Sequence, residues 1–268
     1  MAQQTQERVR SRGQVNVGYR ADAAPFSMHD AAGNPVGYAL ELCQPMVARL
    51  QQAAGGPAVR VKYVEVPVDQ VVRMVKSGAV DLLCSATSDS AERRKDIAFS
   101  PPIFITGVRL LVKAKDKLGA ADQLRGKSVV AIGRTTAEKA VADGAPQHGW
   151  TAAKALDPEA AINQLDMGWA AAYARDEVLL AMQLVGNAKA QDYTLLPEVL
   201  SVETIALAFQ KDDAQMQQLV DAALKDAVRS GAAAAAYQRW FQGPLPPAHK
   251  ALNLPMSAAL KVAFDKLR

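Results

Sequence analysis

The chain is poor in reactive and aromatic residues. Its 268 residues hold two cysteines, three histidines and fifteen aromatic side chains. Cys43 and Cys84 show no CxxC spacing and no histidine nearby, which argues against a structural zinc site. His29, His148 and His249 are far apart in turn-like stretches and read as surface residues, so no metal is expected. There is no Ser/His/Asp order, no metal-ligand spacing and no Walker-type phosphate loop, so no catalytic group and no cofactor are expected. No apolar run reaches 18 residues, which excludes a membrane-spanning helix. The net charge is only +4 and the basic residues are interspersed with acids, so no nucleic-acid-binding face is expected. Met1 to Gln6 are polar and lack the charged and apolar regions of a secretory signal.

Small side chains are plentiful. Alanine accounts for 51 residues, so much of the 50% hydrophobic share packs backbone close to backbone. With 22% charged residues the composition is globular, and the length allows one large domain or two smaller ones. Residues 1–13 read as a frayed polar leader. Val15 to Tyr19 alternates as a strand, and Gly37-Tyr38 opens a helix that contains Pro45. Val59 to Val66 and Val80 to Cys84 read as strands, with a helix from Asp69 to Lys76 between them. Asp89 and Glu92 have capping-box spacing for a short helix. Val108–Lys113 is another strand, and a second βα series follows it, with strands at Ser128–Ile132, Ala170–Ala174 and Thr204–Gln210. Helices are expected after Thr136, at Ala160–Met167 and Val178–Val185, at Asp213–Ser230 and Ala232–Phe241, and from Ser257. Strands alternate with helices throughout, so the fold class is α/β with mainly parallel sheets. Trp150, Trp169 and Trp240 read as packing residues.

Polar residues gather just after strand ends, where open α/β sheets bind ligands. Arg20 follows the first strand. Thr87, Ser88 and Arg93 follow the strand at Cys84, Thr135 and Thr136 the strand at Ile132, and Asp176 the strand at Ala174. A helix start favours an anion, an arginine can fork onto a carboxylate, and an aspartate suits an ammonium. Together they describe a site for an α-amino acid. Each also has a plain structural reading. Asp176, Thr135 and Thr136 could cap helices, and Arg20, Arg93 and Arg134 could be solvated. Cys43 and Cys84 are either a disulfide or two buried thiols. The helix carrying one should pack on the strand carrying the other, which makes a bridge feasible.

In order, Gly18-Tyr19-Arg20, Pro25-Phe26-Ser27 and Gly37 to Leu42 resemble the opening of family 3 solute-binding proteins of ABC transporters. Val80 to Cys84, Glu92 to Lys95, Ala98 to Ser100, Leu124 to Thr136 and Gly168 to Asp176 continue the resemblance, and Trp240-Phe241 with Pro244 to Pro247 resembles the tail of its glutamate/aspartate branch. The resemblance implies a type II periplasmic-binding-protein fold: two α/β lobes, two hinge strands, and a ligand held between lobes that close on it. The crossings are expected near Lys113–Lys115 and Ala206–Gln210. Lobe one then takes 1–112 and 208–268, and lobe two 113–207. By resemblance Arg93 grips the α-carboxylate, Asp176 takes the α-ammonium, Thr87, Ser88, Thr135 and Thr136 supply hydrogen bonds, and Arg20 lies near the ligand. The implied partners are a small amino acid or carboxylate, a membrane permease and its ATPase. A monomer is expected, located in the periplasm, its signal peptide being absent from this chain.

The chain departs from that branch at several pocket positions. Val71 stands where the branch has an arginine, Val68 and Ala86 where it has serines, Pro158 where it has a histidine, and Arg134 where it has a glycine. The grip on a side-chain carboxylate is weakened, and Arg134 is the candidate to restore a cation. A carboxylate ligand is still expected. The alternative function is a dehydratase of a cyclic carboxylic acid on the same scaffold, whose general acid would have to be Glu177 or Asp176.

Overall fold

The computed structural model describes residues 4–185, 187–245 and 250–268. Pro246 and Pro247, part of the tail resemblance above, and His249, read above as a surface residue, lie outside the described residues. The chain divides into two compact units, Met1–Ile105 with Thr204–Arg268, and Thr106–Glu203. The divisions fall earlier than the 112/113 and 207/208 boundaries read from the sequence. Strand Phe104–Lys113 is the reason, because its residues from Val108 onward pair into the second unit's sheet.

In the first unit the sheet order is Arg60–Glu65, Gln14–Tyr19, Leu82–Leu83, Ala208–Gln210, Ile97–Phe99. The first three strands are parallel, and Ala208–Gln210 runs antiparallel to both its neighbours. Helix Tyr38–Ala54 runs unbroken through Pro45 and buries Leu42, Met46 and Leu50. Helix Ala214–Arg229 packs on it, capped by Asp213, which accepts from Met216 N. Gly37, at φ 147°, starts the first of these helices where a Cβ would meet Phe26 O at 2.3 Å, so the turn requires glycine. Phe26, Tyr38, Phe104, Tyr237 and Phe241 form one aromatic cluster, with centroids 4.6 to 6.1 Å apart. Burial first, then Tyr237 and Glu41, push the Tyr38 phenol far up.

Cys43 and Cys84 form a disulfide with a Cα–Cα separation of 6.2 Å, tying helix Tyr38–Ala54 to the end of the central strand. Residues 5–12 correct the expectation of a frayed leader. They form helix Thr5–Arg12, with Val9 fully buried. Arg8 and Arg12 both bond the fully buried carboxylate of Asp81, which also accepts from Asn16 N at 2.7 Å, and Thr5 N donates to Asp213 Oδ2 at 2.7 Å. A polar segment is thus held by ion pairs that hydropathy does not reveal.

The second unit's sheet runs Tyr193–Leu195, Phe104–Lys113, Ala172–Asp176, Ser128–Ile132, Thr151–Ala155, and strand Ser201–Ile205 also pairs with Phe104–Lys113. The last three strands in the main order are parallel, and Phe104–Lys113 is antiparallel to the third. The core packs Val108, Leu110, Val129, Val141, Trp150 and Leu196. Helix Thr136–His148 is capped by Thr135 and helix Pro158–Asp166 by Asp157, both through side-chain oxygens.

Several local expectations are corrected. Asp89 caps no α-helix. Its carboxylate takes the Arg94 fork at 2.5 Å, and only a 3-10 turn, Arg93–Lys95, forms. The strand read at Thr204–Gln210 is two strands, Ser201–Ile205 and Ala208–Gln210, because the chain changes units there. Helix Ala232–Tyr237 passes into a π turn, Gln238–Gln242. Trp169 is 70% exposed, so it is not a packing residue.

Candidate functional site

In the first unit, two loops at the carboxyl end of the parallel strands are joined by a serine pair. Ser27 Oγ donates to Arg20 O at 2.7 Å and lies 2.7 Å from Ser85 Oγ. Arg20 is 6% exposed, and its guanidinium forks onto Asp22, Nε to Oδ1 at 2.9 Å and Nη2 to Oδ2 at 2.8 Å. Its charge is therefore matched locally, a partner that sequence reading did not foresee.

Thr87 and Ser88 are 2% and 5% exposed. Their backbone pairs with the returning chain. Ala206 N donates to Thr87 O at 3.0 Å, Asp89 N to Thr204 O at 2.8 Å, and Ser88 bridges Ile205. The loop is thereby rigid. Among the described residues the hydroxyl of Thr87 has no hydrogen-bond partner although it is buried. Arg93 is half-buried and folds back on the loop, Nη1 donating to Ser88 O at 2.9 Å. The unit thus brings Thr87, Ser88 and Arg93 together, with Arg20 linked through Ser27 and Ser85. Val71 lies in an apolar core with Val66, Val75, Val80 and Phe99, so it offers no charge.

In the second unit, strand Ser128–Ile132 ends in a tight loop. Thr135 Oγ1 donates to Ile132 O at 2.7 Å and accepts from Glu138 N at 3.1 Å. Arg134 is exposed, has φ 62°, and donates its backbone N–H to Glu138 Oε2. Burial raises the Glu138 carboxyl, but the Lys154 ion pair at 2.5 Å and the Arg134 N–H more than offset it, so Glu138 stays ionised to lower pH than usual. Thr136 opens the helix. Asp176 ends the neighbouring strand, whose Ala174 pairs with Ala131. It occupies the N-cap position of helix Glu177–Leu184 yet makes no capping bond from its side chain, so capping does not account for it. Glu177 binds Arg109 at 2.7 Å, which leaves it ill-suited to the general-acid role the dehydratase alternative needs.

Each unit holds a mixed sheet with parallel strands and carries hydroxyls and charged groups on loops at strand ends, the place where α/β sheets of this kind bind ligands. Comparison with known proteins makes the assignment specific. Residues 15–243 match the model of the bacterial extracellular solute-binding proteins, family 3. A curated relative, the L-glutamate/L-aspartate-binding protein of Pseudomonas aeruginosa, is 31% identical over 260 residues, covering 96% of this chain and 86% of the relative. The glutamate/aspartate import solute-binding protein of Escherichia coli is 27% identical, covering 98% of this chain and 87% of the relative. Among solved structures, a mutant ArgBP from T. maritima is 26% identical with a TM-score of 0.76, covering 89% of this chain and 99% of that one. The chain belongs to the bacterial extracellular solute-binding proteins of family 3. It has the type II periplasmic-binding-protein fold, and it is a solute-binding protein and not an enzyme. No helix among the described residues is long and apolar enough to cross a membrane.

Proposed function

We propose that this chain captures a small α-amino acid or related carboxylate in the periplasm and delivers it, as a monomer, to the permease and ATPase of an ABC transporter. In this reading Arg93 holds the α-carboxylate and Asp176 the α-ammonium. Thr87 and Ser88 on one unit, and Thr135 and Thr136 on the other, complete the hydrogen bonding. Arg20, locked to Asp22, braces the first-unit loop beside the ligand, and Arg134 adds positive charge at the second-unit loop.

The observation that carries the proposal is the Thr87 hydroxyl. Leaving a buried hydroxyl unpaired is costly, on the order of 1–3 kcal/mol. Thr87 stands on a rigid loop beside a half-buried arginine, and a ligand oxygen would satisfy it. The names of the glutamate/aspartate-binding relatives support an amino acid as ligand.

Native mass spectrometry of protein purified without denaturation tests the proposal. A one-to-one adduct with the mass of an amino acid or small carboxylic acid is expected, and it should be released by unfolding. An adduct of a sugar or metal would overturn the reading.

A further inference from the structure

We propose that Ser27 and Ser85 are positioning residues for ligand capture. Together they hold Arg20 in register with the Thr87 loop. The inference rests on the binding function proposed above and deepens it, by naming side chains that set affinity through Arg20 and not by their own contact with ligand.

The hydrogen bonds of the pair can be assigned by counting hydrogens. Both serines are fully buried. A carbonyl only accepts, so the 2.7 Å bond from Ser27 Oγ to Arg20 O uses the one hydroxyl hydrogen of Ser27. The 2.7 Å bond between the two hydroxyls must then take its hydrogen from Ser85. Ser27 Oγ also accepts from Arg20 N at 3.2 Å. Its one donor and two acceptor positions are all filled, which fixes the direction of every bond.

This arrangement determines where Arg20 sits. Strand Gln14–Tyr19 ends one residue before it, with Val66 N donating to Tyr19 O at 2.8 Å. Beyond that point the Ser27 hydroxyl serves both main-chain polar groups of Arg20. The loop between them also turns on itself, Phe26 N and Ser27 N donating to Ala23 O at 2.9 and 3.1 Å. Ser85 supplies the fixed point. It follows Cys84, whose N–H donates to Gly18 O at 2.8 Å and whose sulfur is bridged to Cys43. It precedes Thr87 by two residues, on the segment that Ala206 N holds through Thr87 O. The Ser85 hydroxyl carries the position of that segment to Arg20 by way of Ser27.

The side chain of Arg20 is set at its other end by Asp22, which takes Nε and Nη2. Nη1 enters neither bond and keeps its two N–H groups for a further acceptor. A ligand that uses both Nη1 and the Thr87 hydroxyl needs the two donors at a fixed separation. A shift of one loop against the other misplaces them and lowers affinity without removing any ligand contact.

The test is a double-mutant cycle read by calorimetric titration of ligand-stripped protein. The probes are the standard amino acids and short dicarboxylates, and the one that binds wild type most tightly is carried through the series. Affinities too weak for calorimetry are read from the melting shift at high probe concentration. Ser85→Ala keeps both bonds between Ser27 and Arg20 and breaks only the link between the loops. It should weaken binding by about 3- to 10-fold, the range for one hydrogen bond between neutral groups. It should lower the melting temperature of the unliganded protein by no more than about 4 °C. In an Arg20→Ala background the same substitution should change affinity by less than about 2-fold, because the group it positions is gone. Ser27→Ala also strips Arg20 of both main-chain partners and should weaken binding more than Ser85→Ala. If Ser27→Ala fails to fold, the Ser85 and Arg20 variants decide. Unchanged affinity in Ser85→Ala overturns the assignment, whatever its melting temperature, because that is the mark of a purely structural role. A Ser85→Ala loss as large in Arg20→Ala as in wild type also overturns it, as does an Arg20→Ala variant that binds like wild type. Each of these leaves the binding function standing. If wild type binds none of the probes, the proposed function and the positioning role fall together.

Discussion

Breaking the Cys43–Cys84 bridge should destabilise the first unit by an amount that can be worked out in advance. The two cysteines are 41 residues apart in sequence and both are buried in that unit. In the chain-entropy account, a cross-link closing a loop of that size removes about 13 cal/mol/K from the unfolded ensemble, or about 4 kcal/mol at room temperature. For a unit of this size each kcal/mol moves the midpoint by about 2–4 °C, so a fall of about 8–16 °C is expected. The contacts around the bridge should survive its loss, because Cys84 N still donates to Gly18 O at 2.8 Å and helix Tyr38–Ala54 still buries Leu42, Met46 and Leu50. The effect should therefore come from the unfolded chain. The assay compares thermal melts of oxidised wild type, wild type with reductant, and the Cys43→Ala/Cys84→Ala double variant, with thiol titration of the denatured protein. A midpoint within about 2 °C of wild type in the reduced and double-variant samples would refute the reasoning, as would two titratable thiols per chain in protein from an oxidising compartment.

The remaining predictions concern two ion-pair clusters and one backbone turn. Glu41 is raised by burial, but hydrogen bonds from Arg239 and Trp240 lower it further than burial lifts it, so its folded value lies below the ordinary 4.5. Its stabilisation is then fully present above about pH 4.5 and lost as pH falls through the lower folded value. Wild type should out-melt Glu41→Gln at pH 6, and the gap should close toward pH 3. Asp81→Ala removes the acceptor of Arg8, Arg12 and Asn16 N–H and leaves charge uncompensated at a buried site, so urea denaturation should show a loss of about 3–5 kcal/mol. Gly37→Ala forces a Cβ against Phe26 O at 2.3 Å in a backbone conformation that alanine avoids, and soluble yield and melting temperature should both fall sharply.

Much of this architecture was legible in the sequence because local rules and tertiary demands agree. Helix starts at Asp213 and Ser257 were readable, as hydroxyl or carboxylate caps placed just before periodic apolar runs. The strand at Gln14–Tyr19 alternates visibly. Thr151–Ala155 was missed because most of its residues are exposed and rich in alanine, and only pairing with Ser128–Ile132 makes it a strand. Helix Thr5–Arg12 was missed for a related reason, since its anchor, Asp81, lies some seventy residues away in sequence. At the candidate site, strand-end position pointed to Thr87, Thr135 and Asp176. Position alone could not reveal that Arg20 is already matched by Asp22. That fact depends on which face a side chain leaves, which is settled by register and not by spacing.

The central claim is that Arg93 and the Thr87 loop bind the carboxylate of a small amino acid. Calorimetric titration of ligand-stripped wild type and Arg93→Ala with the full set of amino acids and with short dicarboxylates tests it most directly. The expected result is saturable one-to-one binding of at least one of these compounds to wild type, weakened by about 30-fold or more in Arg93→Ala, while the melting temperature of the unliganded protein falls by no more than about 4 °C, the effect of losing the bond to Ser88 O. Undiminished affinity in Arg93→Ala, or no binding of any carboxylate by wild type, would contradict it.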